Sequence, residues 1–317
     1  MIFSIFFLIL GLGILIAGGE SLVKGSSSLA RKWGIRPLVI GLTVVAFGTS
    51  MPELIVNIFS VLKGTPDIAI GNIVGSNIAN ILLILGISAI ILPLKVQKNT
   101  TWKEIPFALL AIILVFIMAN DVLFDKGTSN ILTRTDGLAM IGFFIIFLYY
   151  VFGISKNDEP TEKITIYSWP VSISYTFGGL VLLIVGGKIM VDNAVSLATL
   201  AGLSETLIGL TIIAVGTSLP ELITSVIATY RKQTDIAIGN VVGSNIFNIF
   251  WILGFSSTLG ALPVRSAVIF DIIICIVATL LLFAFIFIHN KNRIDRWQGA
   301  IFVLLYIAYI SFLIYRG

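Results

Sequence analysis

The chain has 317 residues, of which 57% are hydrophobic and only 11% are charged, and its mean hydropathy is +1.07. A soluble globular domain is about 25% charged, so this composition excludes a soluble domain and indicates an integral membrane protein. The net charge of +4 does not indicate a nucleic-acid partner, because the lysines and arginines are scattered between the apolar runs. Membrane lipid is the expected surrounding, and no obligate protein partner is inferred.

Apolar runs near 20 residues recur along the whole chain, each long enough to cross about 30 Å of hydrocarbon as a helix. The predicted fold is therefore an all-α integral membrane protein with ten transmembrane helices. Asp67 and Asp235 lie near the starts of the third and eighth spans and are expected to be their N-caps. The predicted spans are 2–23, 37–62, 68–93, 105–120, 137–154, 170–190, 205–229, 236–262, 266–288 and 298–315.

The basic residues predict an orientation in the cell (plasma or inner) membrane. Loops after the odd-numbered spans carry 14 of the 20 lysines and arginines. Positive loops stay in the cytoplasm, so both termini are predicted to lie outside. The first apolar run has no basic region before it, which favours a retained helix over a signal peptide. Cys275 is alone within an apolar span, which predicts neither a disulfide framework nor a metal cluster.

Two polar motifs occur twice, at one offset of 168 residues. GTSMPELIVN at 48–57 returns as GTSLPELITS, and AIGNIVGSNIAN at 69–80 returns as AIGNVVGSNIFN; between 41–80 and 209–248, 23 of 40 positions are identical. Each half holds five spans, an odd number, so the second half begins on the opposite side of the membrane. Inverted repeats with broken helices meeting at the midplane are typical of secondary transporters. The predicted division is a first repeat at 1–154, a linker at 155–168 and a second repeat at 169–317.

The first motif places a glutamate in the middle of an apolar span in each repeat. A carboxylate at the bilayer centre costs about 2.5–3.5 kcal/mol on insertion scales, and no lysine or arginine occurs inside either span. Glu53 and Glu221 are therefore predicted to be functional. Pro52 and Pro220 are expected to break the helix just before each glutamate, leaving carbonyls unpaired. Such backbone is tolerated at membrane depth where it lies within protein or lines a cavity.

The two motifs also supply hydroxyl and amide oxygens. In the second motif a serine and an asparagine lie four residues apart and share one helix face. Asn77 and Asn245 lie one position off that face and are expected to bond to backbone instead. Glycines four apart in the same motif, Gly71 with Gly75 and Gly239 with Gly243, are expected to serve close helix packing. The oxygen-bearing side chains are those of Thr49, Ser50, Ser76, Asn80, Thr217, Ser218, Ser244 and Asn248.

The chemistry of this donor set favours a hard cation. It contains two carboxylates, hydroxyls, amide oxygens and backbone carbonyls, with no histidine and no thiol. Calcium takes 6–8 oxygen ligands, whereas softer transition metals prefer imidazole or thiolate. Two carboxylates neutralise one divalent cation.

GTSMPEL with GNIVGSNIAN, repeated as GTSLPEL with GNVVGSNIFN, resembles the two alpha-repeats of sodium/calcium exchangers. It is most similar to the short prokaryotic calcium/sodium antiporters of the Ca2+:cation antiporter superfamily, over nearly the whole chain. The resemblance implies a transporter and not an enzyme, with no cofactor, commonly exchanging three Na+ for one Ca2+ while spans 1 and 6 slide across the rest.

The resemblance also implies an ion-binding set. Glu53 and Glu221 would be shared by Ca2+ and Na+, with Thr49 and Thr217 completing the calcium site. The remaining implied ligands are the carbonyls of Ala46, Thr49, Ala214 and Thr217, the side chains of Thr49, Ser50, Ser76, Thr217, Ser218 and Ser244, and, at the centre, Asn80 and Asn248.

The sequence departs from part of that family at one position. Some members, including potassium-dependent ones, carry aspartate where Asn248 stands, and some also at the position of Asn80. Asparagine at both leaves two formal charges in the centre. The departure argues against potassium co-transport, and it leaves the sodium stoichiometry open because three Na+ would leave the site at +1.

Three other functions are compatible with parts of the sequence. The main alternative is H+/Ca2+ antiport on the same fold, since glutamates can carry protons. The residue pattern of the motifs favours Na+. A passive cation channel can also be built from inverted halves with broken helices. An intramembrane protease would need a Ser/His pair or two intramembrane aspartates, and neither is placed for it.

Overall fold

The computed structural model describes residues 2–124, 126–154, 165–200, 214–289 and 291–316, and these are mainly helical. Within those ranges, eight helices are long and apolar enough to cross a membrane, and one bent pair supplies a ninth crossing. The helices are α1 (Ile2–Trp33), α2 (Pro37–Thr49), α3 (Met51–Leu62), α4 (66–91), α5 (Thr100–Met118), α6 (Asp121–Phe124), α7 (Arg134–Ile154), α8 (Trp169–Leu200), α9 (Ala214–Thr217), α10 (Leu219–Tyr230), α11 (Thr234–Leu259), α12 (Ser266–Phe285) and α13 (Arg296–Arg316).

Nine of the ten predicted spans coincide with these helices or with the bent pair. The seventh, at 205–229, begins in residues outside the described ranges and continues as α9 and α10, so the count of ten stays a prediction. The fourth, predicted at 105–120, begins earlier at Thr100 with a π-helical turn and ends at Met118. Most of the predicted linker, at 155–164, also lies outside the described residues.

The first helix is longer than predicted and ends at Trp33 instead of residue 23. Its serine-rich end is buried within the helix, and the serine hydroxyls find acceptors there in helix carbonyls and neighbouring groups. Ser26 donates to the carbonyl of Leu22 at 2.6 Å, and Ser27 reaches Gln233 at 2.7 Å. The helix ends where Gly34 adopts a φ of +64°, a left-handed conformation that glycine tolerates.

The predicted N-caps of the third and eighth spans are wrong by two residues. The cap positions are Thr65 and Gln233, neither of which caps through its side chain. Asp67 and Asp235 lie instead within the first helical turn, and the negative charge of Asp235 there still interacts favourably with the helix dipole. Pro66 can occupy the first turn of α4 because no helical hydrogen bond needs its missing N–H there.

Two short antiparallel strand pairs mark opposite ends of the molecule. β1 (Leu94–Lys95), which follows α4, pairs with β4 (Arg293–Ile294). β2 (Ile131–Leu132) pairs with β3 (Leu262–Pro263), which follows α11. The start of α11 contacts β1 and the start of α4 contacts β3, so these repeat-equivalent helices run antiparallel, as an inverted repeat requires.

The helices form a buried core and an outer pair. α4 and α11 lie in the centre, packed against α5, α7, α12 and α13 through one large apolar cluster. α1 and α8 pack along each other outside this core. Their backbones approach at glycines: a Cβ on Gly18 would lie 2.8 Å from the backbone nitrogen of Leu183, and one on Gly186 would lie 2.8 Å from that of Leu15.

Candidate functional site

Each proline of the first motif lies in the first turn of a new helix. α2 and α3 meet at a bend of 44°, where Ser50 has φ −82° and ψ +8°. The second repeat breaks in the same way at Ser218, with φ −87° and ψ +6°. Pro52 and Pro220 occupy the first turns of α3 and α10, a position that tolerates proline. The glutamate that follows each proline therefore lies at the N-terminal end of a short helix.

The backbone around the first break is better paired than the sequence predicts. The Ala46 carbonyl accepts the Ser50 N–H at 3.0 Å and lies 3.3 Å from the Thr49 hydroxyl, so it is not unpaired. Ser50 keeps dihedrals close enough to helical for its N–H to reach back four residues, and the chain turns only afterwards. Ala214 lies on the equivalent helical segment α9 in the second repeat.

Each broken helix donates a hydrogen bond to the glutamate of the other repeat. The Ser50 hydroxyl lies 3.0 Å from Glu221 Oε1, and the Ser218 hydroxyl lies 3.4 Å from Glu53 Oε1. The Ser76 hydroxyl, on α4, also approaches Glu53 Oε1 at 3.3 Å. These bonds bring the two copies of the first motif together in the interior, where both carboxylates are buried.

Oxygen atoms without hydrogen-bond donors remain in this cluster. They are Glu53 Oε2, Glu221 Oε2, Ser244 Oγ, Asn80 Oδ1 and Asn248 Oδ1. The Ser244 hydroxyl lies beside Glu221 but does not meet hydrogen-bond geometry.

The two carboxylates lie close enough to interact electrostatically. Among the ion pairs of the described residues, none involves Glu53 or Glu221. Burying charge without a partner is costly, so this arrangement of free oxygens and two carboxylates fits a hard cation as the missing partner.

The central asparagines lie on π-helical segments, which are frequent at functional sites. Asn80 falls within Ala79–Leu85, and Asn248 falls within Phe247–Leu253. The Asn80 amide donates to Asn245 Oδ1 at 2.9 Å, and the Asn248 amide donates to Asn77 Oδ1 at 3.0 Å. Each amide nitrogen is thus held by the other repeat, which leaves its oxygen free.

Asn77 and Asn245 both bond to side chains of the other repeat, whereas the sequence predicts only backbone bonds. Asn77 does bond to backbone, because its amide donates to the Asn245 carbonyl at 3.2 Å. The side-chain oxygens of both residues, however, accept the bonds from Asn80 and Asn248.

Sequence reasoning missed two further asparagines. The hydroxyl of Thr217 donates to Asn72 Oδ1 at 3.2 Å, and that of Thr49 donates to Asn240 Oδ1 at 3.0 Å. The signal was available, because Asn72 and Asn240 match at the offset of 168 and lie four residues before Ser76 and Ser244, on the same helix face.

The predicted close packing of the second-motif glycines is confirmed in α11, where they pack against α2, but not in α4, where no described atom lies within 4 Å of a Cβ on Gly71 or Gly75. A Cβ on Gly239 would lie 2.7 Å from the Leu38 carbonyl, and one on Gly243 would lie 2.8 Å from Leu42 Cα. The outer helix α8 covers both breaks: Leu180 contacts Gly48, and Val191 contacts Gly216. The site is therefore enclosed by α2, α4, α11 and α8.

This fold and this site define a class. The protein is a multi-pass helical membrane protein in which two copies of one motif bring together a buried cluster of carboxylate, hydroxyl and amide oxygens. Residues 3–153 and 171–315 match the family described as "Sodium/calcium exchanger protein". The chain belongs to the sodium/calcium exchanger protein family.

Individual relatives match over most or all of the chain. The sodium/calcium exchanger MaX1 of Methanosarcina acetivorans is 33% identical, with 97% of each chain covered. The inner membrane protein YrbG of Escherichia coli is 37% identical, covering 82% of this chain and 81% of its own. The solved structure of the sodium-calcium exchanger NCX_Mj, soaked with Na+ and Ca2+, superposes with a TM-score of 0.84 at 35% identity, covering 98% of both chains.

Proposed function

We propose that this protein exchanges Na+ for Ca2+ across the membrane by alternating access. The observation that carries the proposal is the pair of buried carboxylates, Glu53 and Glu221, each bonded by a serine of the other repeat and each retaining an oxygen without a donor. Such a site requires cations, and it accepts either one divalent ion or several monovalent ions. The family and the named exchangers among the relatives support Na+ and Ca2+ as those ions.

Calcium would bind between the two glutamates with the threonines at the breaks, Thr49 and Thr217. Sodium would share the glutamates and use the neighbouring serines and the central amide oxygens. The proposed ion ligands are Glu53, Glu221, Thr49, Ser50, Ser76, Asn80, Thr217, Ser218, Ser244 and Asn248, together with the carbonyls of Ala46 and Ala214.

The direction we propose is calcium export, driven by the sodium gradient and the membrane potential. A tenfold sodium gradient supplies about 1.4 kcal/mol per ion, hence about 4.2 kcal/mol for three ions. One net charge crossing about 100 mV adds about 2.3 kcal/mol. Together these could lower calcium by between four and five orders of magnitude, so three-for-one exchange has enough driving force.

The proposed location is the cell membrane, with both termini outside and the odd-numbered loops in the cytoplasm. Contacts between those loops support a common face: Gln97, before α5, donates to Asp235 at the start of α11 at 2.6 Å. β1 also pairs with β4, and these lie in the loops after the third and ninth predicted spans. The excess of basic residues in the same loops favours the cytoplasm for that face.

The test is calcium-45 uptake into proteoliposomes loaded with sodium and diluted into sodium-free buffer, with a pH-sensitive dye inside. The expected result is uptake that requires internal sodium and produces no coupled proton signal. An inside-positive potential, set with valinomycin and potassium, should accelerate uptake, because three Na+ leave for each Ca2+ that enters. Liposomes loaded with choline are the control.

Other outcomes would assign a different transport function to the protein. Uptake that ignores sodium and follows an imposed pH gradient would establish H+/Ca2+ antiport. Calcium entry that runs down its own gradient without any counterflow would establish a channel. Sodium-dependent uptake that does not respond to potential would retain the exchanger but reject three-for-one coupling.

A further inference from the structure

Two asparagines outside the predicted ligand set bond to the threonines of the proposed calcium site. Asn240 is fully buried on α11 and accepts the Thr49 hydroxyl at 3.0 Å. Asn72 on α4 accepts the Thr217 hydroxyl at 3.2 Å. Each bond joins one repeat to the other, so each break is tied to the opposite half of the protein.

A hydroxyl group has one hydrogen to donate and two lone pairs to offer. A cation is coordinated by a lone pair, so the hydrogen of a coordinating threonine must point elsewhere. The Thr49 hydroxyl has a competing acceptor within its own helix, since it lies 3.3 Å from the Ala46 carbonyl. Donation to that carbonyl would occupy a lone pair of another proposed ligand. Asn240 offers the closer acceptor and so turns the hydrogen away from the ion site.

We propose that Asn72 and Asn240 are positioning residues, which orient the hydroxyls of Thr217 and Thr49 so that their oxygens face the transported ion. This inference rests on the proposed cation site at Glu53 and Glu221.

Both asparagines are themselves fixed by a second bond. The Asn72 amide donates to Asn57 Oδ1 at 3.0 Å. The Asn240 amide donates to Ser225 Oγ at 2.9 Å and to the Glu221 backbone carbonyl at 3.3 Å. An asparagine held through its nitrogen presents its oxygen in one direction, which is what a positioning role requires.

The two supports differ although they occupy equivalent positions. Asn57 and Ser225 match at the offset of 168. The Asn57 amide is buried and its nitrogen has no acceptor within the described residues. It could therefore turn and donate to a carboxylate placed at residue 72. The Glu221 carbonyl can only accept, so a carboxylate at residue 240 would meet an oxygen where the amide donated a bond.

This difference gives an asymmetric expectation. Asn72→Leu and Asn240→Leu should each weaken the apparent affinity for Ca2+ by roughly five- to twentyfold, since each removes one hydrogen bond that orients a ligand. Asn72→Asp should restore affinity to within about threefold of wild type, because it keeps the acceptor and gains the Asn57 donor. Asn240→Asp should remain impaired.

The decisive experiment is a set of double-mutant cycles with Thr49→Val and Thr217→Val. In a bonded pair, Thr49 with Asn240 or Thr217 with Asn72, the second substitution removes nothing further, so the double variant should match the worse single variant. In the exchanged pairs, Thr49 with Asn72 and Thr217 with Asn240, the losses should add. The exchanged pairs are the matched control, because they use the same four substitutions.

Two readouts separate this proposal from the proposed function. Sodium-dependent calcium-45 flux gives KM and turnover, and a positioning role should raise KM more than it lowers turnover. Calcium-induced thermal stabilisation of the purified protein gives apparent affinity without any transport, so the cycles can be read even if coupling to Na+ fails. Variants that fold poorly are identified by their unfolding temperature without calcium, and if the leucine variants do so, Asn72→Asp and Asn240→Asp replace them in the test.

Additive losses in the bonded pairs, or leucine variants with wild-type calcium affinity, would overturn the proposal. Recovery by Asn240→Asp equal to that by Asn72→Asp would reject the asymmetry between the two supports.

Discussion

Two pairs of repeat-equivalent helices differ in how deeply they are buried and in how their members contact each other. α4 and α11 are central, and 78% and 94% of the residues in their most apolar stretches are buried; for α1 and α8 the values are 28% and 17%. The buried pair carries the asparagines of the proposed ion site and two of its serines, Ser76 and Ser244. The outer pair contacts itself through glycines seven residues apart, with backbone against backbone.

The difference separates a part of the protein that is held in one arrangement from a part that can move. Hydrogen bonds between buried side chains hold helices in one arrangement, and the amide bonds from Asn80 to Asn245 and from Asn248 to Asn77 do this between α4 and α11. Glycines let two helices pack closely, backbone against backbone, without such directional bonds. We expect α1 and α8 to move as one unit over the core, which is the sliding that the family resemblance implies.

The largest effect should come from the core. Glu53→Gln and Glu221→Gln each remove one of two buried charges. At about 4 Å and an effective dielectric of about 20, a unit charge contributes about 4 kcal/mol, or roughly a thousandfold in ion affinity. Calcium-45 flux should fall to background in both variants.

The matched control for these variants is Glu104→Gln. Glu104 is equally buried, but it accepts a hydrogen bond from Tyr150 outside the site, and a glutamine can accept the same bond. Exchange by this control should stay within about twofold of wild type. Wild-type flux in Glu53→Gln or Glu221→Gln would contradict a cation site at these two glutamates.

An intermediate effect is expected where the outer helices touch. A Cβ on Gly25 would lie 2.4 Å from the Thr176 backbone nitrogen. Gly25→Ala should therefore lower the free energy of unfolding by about 1–3 kcal/mol, as overpacking does. The measurement is thermal unfolding in detergent.

Gly13→Ala on the same helix is the control, because no described atom lies within 4 Å of a Cβ there. Alanine should be neutral at this position or stabilise the helix by up to about 1 kcal/mol. Equal unfolding temperatures for the two variants would contradict close glycine packing between α1 and α8.

The smallest effect on stability should come from an ion pair between an outer helix and the core. Glu20 on α1 accepts from Arg231 at 2.6 Å and from Lys24 at 3.1 Å. The equivalent of Glu20 is Lys188, which pairs within α8 with Asp192 at 3.2 Å. Of these two ion pairs, therefore, only the one between Glu20 and Arg231 joins an outer helix to the core.

Glu20→Gln and Lys188→Gln should each change the free energy of unfolding by at most about 1 kcal/mol, since these pairs are partly exposed. Transport should separate them. If α1 moves over the core, Glu20→Gln should change turnover by about two- to fivefold, and Lys188→Gln should not. Equal turnover in both variants would indicate that α1 stays fixed against α10.

The sequence was informative wherever a physical penalty had to be compensated. Glutamates in apolar spans, prolines after Gly-Thr-Ser and an offset shared by polar residues located the breaks at Ser50 and Ser218. It was less informative where polar residues remain helical, as in the serine-rich end of α1, because the acceptors that satisfy these buried hydroxyls include distant residues such as Gln233.

The sequence by itself determined the class of protein, the breaks and the chemistry of the donor set, because these follow from composition, proline geometry and the cost of burying charge. Only the tertiary structure decided which atoms meet. A local rule pairs the N-cap Ser50 with Glu53 three residues later in the same helix. The Ser50 hydroxyl instead donates to Glu221, and Thr49 to Asn240. When two copies of one motif pack against each other, these hydroxyls donate to residues of the other repeat. The spacing of residues within one repeat does not predict such bonds.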